Sequence, residues 1–149
     1  MHAALEIGPM AAVMTPDELT DLLAREFPQS SHLGMVIEQA GDMTARLRMP
    51  VNESHLRPGG TVSGPTLFWM ADVGLYVAVM AMVGPKTQSV TTSITMNFLR
   101  LPTPSDIIAE VRLLKLGRRL AVGDVSLFSE GLADPVAHVT GTYALPPES

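Results

Sequence analysis

One apolar run, from Pro65 to Val83, limits most strongly what this chain can fold into. Its large side chains, from Leu67 through Met82, would fall on every side of a helix, and the one charged residue among them is Asp72. As a helix the run would be about 28 Å long. A helix that is apolar all round is either a membrane span or a core element. For a span the length is marginal, Asp72 sits near the middle, and no basic cluster anchors the ends. A core helix instead needs strands to wrap it, and the rest of the chain supplies them. No membrane partner is therefore expected.

The strands are read from alternation. Residues 35–39 and 44–49 alternate polar with apolar around a turn at Gly41-Asp42, as a half-exposed hairpin does. After Gly84-Pro85-Lys86 come four longer runs: Ser89 to Leu99, Ile107 to Leu116, Leu120 to Ser129, and Val136 to Ala144. Short loops separate them, so antiparallel pairing is the simplest connection. Before the hairpin, Thr15-Pro16-Asp17-Glu18 has the form of a capping box with proline at the first helical position. Leu19, Leu22, Leu23 and Phe27 follow at helical spacing, and Pro28 ends that short helix. Residues 1–14 read as a loosely ordered start to a single domain spanning residues 1–149. The class is α+β: an antiparallel sheet wrapped around one long central helix, with a short N-terminal helix. That architecture is the hotdog fold.

Composition removes several functions. There is no cysteine, which excludes disulfides, thiolate catalysis and cysteine-based metal sites. His2, His32, His55 and His138 are scattered without the spacing of a helical metal motif, so no metal is expected. A net charge of -5 argues against nucleic acid as a partner. Only 17% of residues are charged, which is low for a surface that must stay wet, and points to a face covered by another subunit. Residues 1–14 lack the basic start of a secretion signal, so a cytoplasmic location is expected.

From His55 through Pro102 the sequence resembles the acyl-CoA thioesterases of the hotdog superfamily, in their phenylacetate-degradation (PaaI-like) branch. That family carries an Asn, a glycine turn, His-Gly-Gly, six residues and an Asp leading into the central helix. The matching stretch here is Arg57-Pro58-Gly59-Gly60-Thr61-Val62-Ser63-Gly64-Pro65, six residues, and Asp72. Thr91-Thr92-Ser93, Asn97-Phe98-Leu99-Arg100-Leu101-Pro102 and the turn Gly117-Arg118 match further family features. The likeness spans about residues 30–145. Gly64 and Asp72 match cleanly, whereas Ser63 replaces the family's His, Pro65 its second Gly, and Arg57 falls at the Asn position.

The resemblance implies roles. Asp72 would be the general base that activates water, or a nucleophile, acting on a thioester at a subunit interface. A carboxylate inside an apolar helix is costly unless it is paired or accessible, so a structural acid bonded to a neighbour is the competing reading. The Gly64 N–H, at a helix N-terminus, would be the oxyanion donor, a contribution typically on the order of 3 kcal/mol. Equally, Gly64-Pro65 would serve as a plain helix start. Thr92 falls where the family places a hydroxyl beside the attacking water. Ser63 would donate near the carbonyl in place of the missing His, or simply cap the helix. His55 is near enough in sequence to swing toward the same pocket. Arg57 is a candidate for gripping a ligand carboxylate or phosphate, and Arg100, Arg118 and Arg119 for contacting the coenzyme A nucleotide. Pro65 and Trp69 would line the acyl side, or pack in the core.

The function implied is hydrolysis of acyl-CoA thioesters to free acid and coenzyme A, with no cofactor beyond the coenzyme A of the substrate. A non-catalytic acyl-CoA or fatty-acid binding protein is the first rival, given the replaced His. An enoyl-thioester hydratase ranks last, because only His55 lies near enough in sequence to assist Asp72. Since a hotdog sheet leaves an open edge, self-association is expected, as a homodimer or as two such dimers in a homotetramer.

Overall fold

The computed structural model describes residues 11–147. Helix α1 spans Pro16–Glu26, and its start is the expected capping box. The Thr15 hydroxyl accepts the Glu18 N–H at 3.1 Å, and the Glu18 carboxylate accepts the Thr15 N–H at 2.9 Å. Leu19 and Leu22 turn inward. Pro28 stops the helix, but the chain does not go straight into a strand: a 3₁₀ turn over Pro28–Leu33 intervenes, closed by Gly34 in the left-handed region.

Strands β1 (Val36–Gly41) and β2 (Thr44–Met49) form the predicted hairpin. Its tip lies one residue later than the sequence suggested. Asp42 and Met43 both have positive φ, the geometry that matches the twist of a two-residue hairpin. A second short 3₁₀ turn, Glu53–His55, leads to the long helix α2, Gly64–Val83. Strands β3 (Val90–Phe98), β4 (Ile107–Leu116), β5 (Leu120–Ser129) and β6 (Ala137–Ala144) complete the chain. All pairings are antiparallel, in the order β1-β2-β4-β5-β6-β3. This is the hotdog fold expected from the sequence.

Alternation explains the wrapping. On β4 the residues Ile107, Ala109, Val111 and Leu113 face α2, and on β6 Ala137, Val139, Gly141 and Tyr143 do so. Gly123 and Gly141 sit opposite each other on β5 and β6, and Leu75 of α2 drops into the space that their missing side chains leave. A side-chain carbon at either glycine would come within 2.8 Å of Leu75. Bulges at Ile37/Gln39, Thr91/Ser93 and Leu113/Lys115 bend the sheet further. The helix is long and apolar enough to cross a membrane, yet 78% of its most apolar window is buried inside this sheet, as a core helix requires. Ahead of α1, the Val13 N–H bonds to the Ala81 carbonyl at 2.7 Å. That fixes residues just before α1 against the end of α2, whereas residues 1–10 of the expected loose start lie outside the described range.

The outer face of the sheet is charged and internally paired. Glu38 accepts bonds from Arg46 and Arg48, and Arg48 reaches Asp106 and Glu130 as well. The edge strand β3 is different. Almost all of it is exposed, and at its two ends Val90, Phe98, Leu99 and Leu101 leave apolar surface in solvent.

Candidate active site

Asp72 sits on the side of α2 that the sheet leaves open, next to the start of β3. The helix buries nearly everything after Asp72, but Pro65, Phe68, Trp69 and Asp72 form an incompletely covered stripe at helical spacing. The carboxylate is half-buried, and two hydroxyls hold one of its oxygens. Tyr143 donates to Oδ1 at 2.6 Å and Thr91 donates to the same oxygen at 2.8 Å. Oδ2 has no hydrogen-bond partner among the described residues. Burial and the neighbouring Asp72 carboxylate hold the Tyr143 phenol far above its ordinary value, so it keeps its proton and stays a donor.

Thr91 takes the place foreseen for Thr92, and the bulge is the reason. Strict alternation from Ile94 and Met96 puts Thr92 on the inner face. The extra residue in the β3–β6 register shifts the phase, so that Thr91 lies opposite Tyr143 and faces inward. Thr92 instead bonds to the Thr142 carbonyl at 3.3 Å.

At the other end of the stripe, Gly64 is the first residue of α2. The first turn of a helix leaves its N–H groups without internal partners. Here Pro65 has none, the Thr66 N–H bonds to the Ser63 hydroxyl at 3.2 Å, and the Leu67 N–H bonds to the Ser63 carbonyl at 3.1 Å. Gly64 is left with the one N–H of this turn that has no partner among the described residues. The Phe98 ring lies over it: a side-chain carbon on Gly64 would meet that ring at 3.3 Å. Ser63 is therefore a helix cap, and its hydroxyl is turned to Thr66 rather than outward.

The remaining candidates scatter. His55 is fully buried, accepts the Asn52 N–H at Nδ1 (3.1 Å) and donates from Nε2 to the His32 carbonyl (3.0 Å). It pins the loop before α2 to the 3₁₀ turn and does not swing toward a ligand. Trp69 is half-buried against the rings of Phe27 and His32. Pro65 and Arg57 are exposed near the start of α2. The Arg100 guanidinium is tied to the Pro135 carbonyl, which makes it a strand-end clasp. Arg118 lines a basin of about 400 Å³ with Lys86 and Leu145, and Arg119 beside it bonds to the Leu145 carbonyl at 3.3 Å. Among the described residues no group of three His, Asp or Glu side chains could hold a metal. Sequence reasoning missed Tyr143. The available signal was its place on the core-facing register of β6, where a buried phenol must find a partner.

A family model described as the thioesterase superfamily matches residues 59–135, which include Gly64, Asp72 and Thr91. A protein described as an esterase in Saccharolobus solfataricus is 28% identical over 137 residues, covering 92% of this chain and 87% of that one. A crystal structure described as a thioesterase from Silicibacter sp. TM1040 is 43% identical, with a TM-score of 0.84, and the match covers 94% of this chain and 97% of that one. The phenylacetic acid degradation protein PaaI of Thermus thermophilus, solved as a point mutant, is 27% identical with a TM-score of 0.69, covering 80% of this chain and 99% of that one.

Proposed function

The chain belongs to the thioesterase superfamily, and we propose that it hydrolyses acyl-CoA thioesters to a free acid and coenzyme A at a site shared between two copies of the chain. The observation that carries this reading is the separation of the two key groups. Gly64 and Asp72 are eight residues apart on one helix, about 12 Å along its axis. An oxyanion donor and a base must both lie about 3 Å from the reacting atoms. One copy cannot bring its own pair together.

A second copy can. α2 and β3 run in opposite senses: Gly64 lies by Phe98 at the end of β3, and Asp72 by Thr91 at its start. Antiparallel pairing of β3 with its own copy about Ile94 sets Thr91 of one strand opposite Asn97 of the other, one residue from Phe98. That brings Asp72 of one copy toward Gly64 of the partner subunit. The exposed edge and the apolar residues at its ends support such a pairing. Two such dimers can then pair into a tetramer.

In this reading the thioester oxygen accepts the Gly64 N–H, and Asp72 Oδ2 faces the carbonyl carbon from the other side. As a base, Oδ2 takes a proton from water while the water oxygen bonds to that carbon. As a nucleophile, it bonds to the carbon itself, and water later releases the acid. In either course the C–S bond breaks and the coenzyme A thiolate leaves and is protonated. No metal or further cofactor takes part. Arg118 and Arg119 lie at the end of β6 near Leu145, two residues and about 7 Å beyond Tyr143 along the strand. Their charge suits the nucleotide phosphates, and the apolar Phe68–Trp69 side suits an acyl or aryl group. The setting is the cytoplasm.

Release of free thiol from a panel of acyl-CoAs tests the reading. The wild-type protein should turn over at least one of them, and Asp72→Asn should lower kcat at least about a hundredfold. Tight acyl-CoA binding with no thiol release by the wild type would favour the binding-protein alternative. Full activity in Asp72→Asn would remove Asp72 from the mechanism.

A further inference from the structure

Tyr143 belongs to none of the motifs around Gly64 and Asp72, lies 71 residues from Asp72 in sequence, and yet makes the shortest contact that the Asp72 carboxylate has. Its hydroxyl is 2.6 Å from Oδ1 and 3.0 Å from the Asp72 main-chain carbonyl oxygen. A phenol has one proton to donate. The shorter distance and the charge of the acceptor assign it to the carboxylate. The ring has little freedom to leave. Tyr143 is 4% exposed, lies 6.2 Å from the Tyr76 ring, and is held from behind as Tyr76 donates to the Thr87 carbonyl at 3.2 Å.

A carboxylate on the flank of a helix turns about two side-chain torsions. Without a restraint it presents either oxygen, in many orientations, to a reacting atom. Here Tyr143 on β6 and Thr91 on β3 face each other across the strand pair and converge on a single oxygen. Their donors come from two different strands, so Oδ1 is held in two directions and the carboxylate plane is set. Oδ2 then points away from both hydroxyls.

We propose that Tyr143, with Thr91, is a positioning residue for Asp72: the two hydroxyls hold Oδ1 and leave Oδ2 as the only reacting oxygen. The proposal rests on Asp72 being the base or nucleophile of thioester hydrolysis. It also assigns Thr91 a different task from the water-holding hydroxyl implied by the family resemblance. The Thr91 proton is spent on the carboxylate itself. The geometry fixes orientation, so the effect falls on the rate of the bound complex and not on substrate affinity.

The test uses the full chain and the acyl-CoA that the wild type turns over fastest. Tyr143→Phe removes the donor and keeps the ring. It should lower kcat by about ten- to a hundredfold, the range for a hydrogen bond to a charged group, and leave KM within about twofold. Thr91→Val should lower kcat in the same sense. In an Asp72→Asn background Tyr143→Phe should change the residual rate no further, because it acts through Asp72. Wild-type kcat in Tyr143→Phe overturns the proposal, as does an equal loss in the Asp72→Asn background. Should Tyr143→Phe not fold, Thr91→Val at the exposed strand edge decides alone: a kcat loss supports the proposal and wild-type kcat overturns it. An inactive Asp72→Asn beside a fully active Tyr143→Phe sinks only the positioning role. A fully active Asp72→Asn sinks the hydrolytic reading and this proposal with it.

Discussion

Replacing Gly141 with alanine probes the seat of the central helix, on which the position of Asp72 depends. The added methyl would lie 2.7 Å from Leu75 Cδ1, 3.3 Å from Ile94 Cγ1 and 3.4 Å from the Ser93 carbonyl oxygen. Carbon atoms pack at about 3.5–4.0 Å, so the overlap with Leu75 approaches 1 Å. Leu75 is 1% exposed, so its side chain must shift within the core to make room. Overpacking of this kind costs about 1–3 kcal/mol. For a chain of this size that is a melting temperature lower by about 3–10 °C. Leu75→Ala alone leaves a cavity and costs about 2–5 kcal/mol. The two changes are coupled, because the new methyl partly fills the space Leu75 vacates. The double variant should therefore be more stable than the sum of the singles by about 1 kcal/mol or more. Gly123→Ala is the contrast. Its methyl would meet both Leu75 Cδ2 and the Arg112 backbone oxygen at 2.8 Å, and Leu75→Ala relieves only the first of these, so its cycle should couple less. Urea unfolding of the five variants measures both cycles. A neutral Gly141→Ala, or a strictly additive cycle with Leu75, would refute the seating of α2 on the paired glycines. Gly141 is two residues from Tyr143, and Leu75 three from Asp72, so Gly141→Ala should also lower thioester turnover.

The Arg48 and Arg46 guanidiniums hold the Glu38 carboxyl below its ordinary value, so its contribution is present above the usual glutamate range and is lost as pH falls through the folded value. Glu38→Gln should accordingly lower the melting temperature by about 1–2 °C at pH 7, with the difference from wild type vanishing as pH falls through the lowered folded value, as read by thermal melts across pH. His55→Ala removes a fully buried ring and two hydrogen bonds to the backbone. It should cost about 2–4 kcal/mol in urea unfolding, a loss in stability that a surface-facing ligand residue would not produce.

The fold was legible because its constraints are local or periodic. An all-round apolar helix demands a wrapping sheet, and the four late strands announce themselves by alternation, with β4 and β5 beginning and ending where the pattern says. The two 3₁₀ turns carry no such period and were not foreseen. At the site, Asp72 and Gly64 stood out for what they are: an acid among apolar residues, and a helix start. What the residues around them do depends on long-range contacts. Tyr143 reaches Asp72 across 71 residues of chain, through a strand register that no motif encodes. Thr92 gave way to Thr91 because one bulged residue reverses which side chains face the helix. His55 and Ser63, attractive as polar residues beside a glycine turn, are spent on holding that turn and capping the helix after it. Polar residues that fasten a site read in sequence just as those that perform its chemistry do.

The shared site can be tested by mixing two inactive variants. Gly64→Pro deletes the N–H in question at a position where proline suits the helix start and follows the extended Ser63. Asp72→Asn removes the base. If Gly64 and Asp72 of different copies form each site, a mixed dimer of the two variants retains one intact site. Co-refolding equal amounts should then restore about a quarter of wild-type thiol release, since about half the dimers are mixed and each has one working site of two. If both groups acted within a single copy, the mixture would stay as inactive as its parts, and the account would be wrong at its centre.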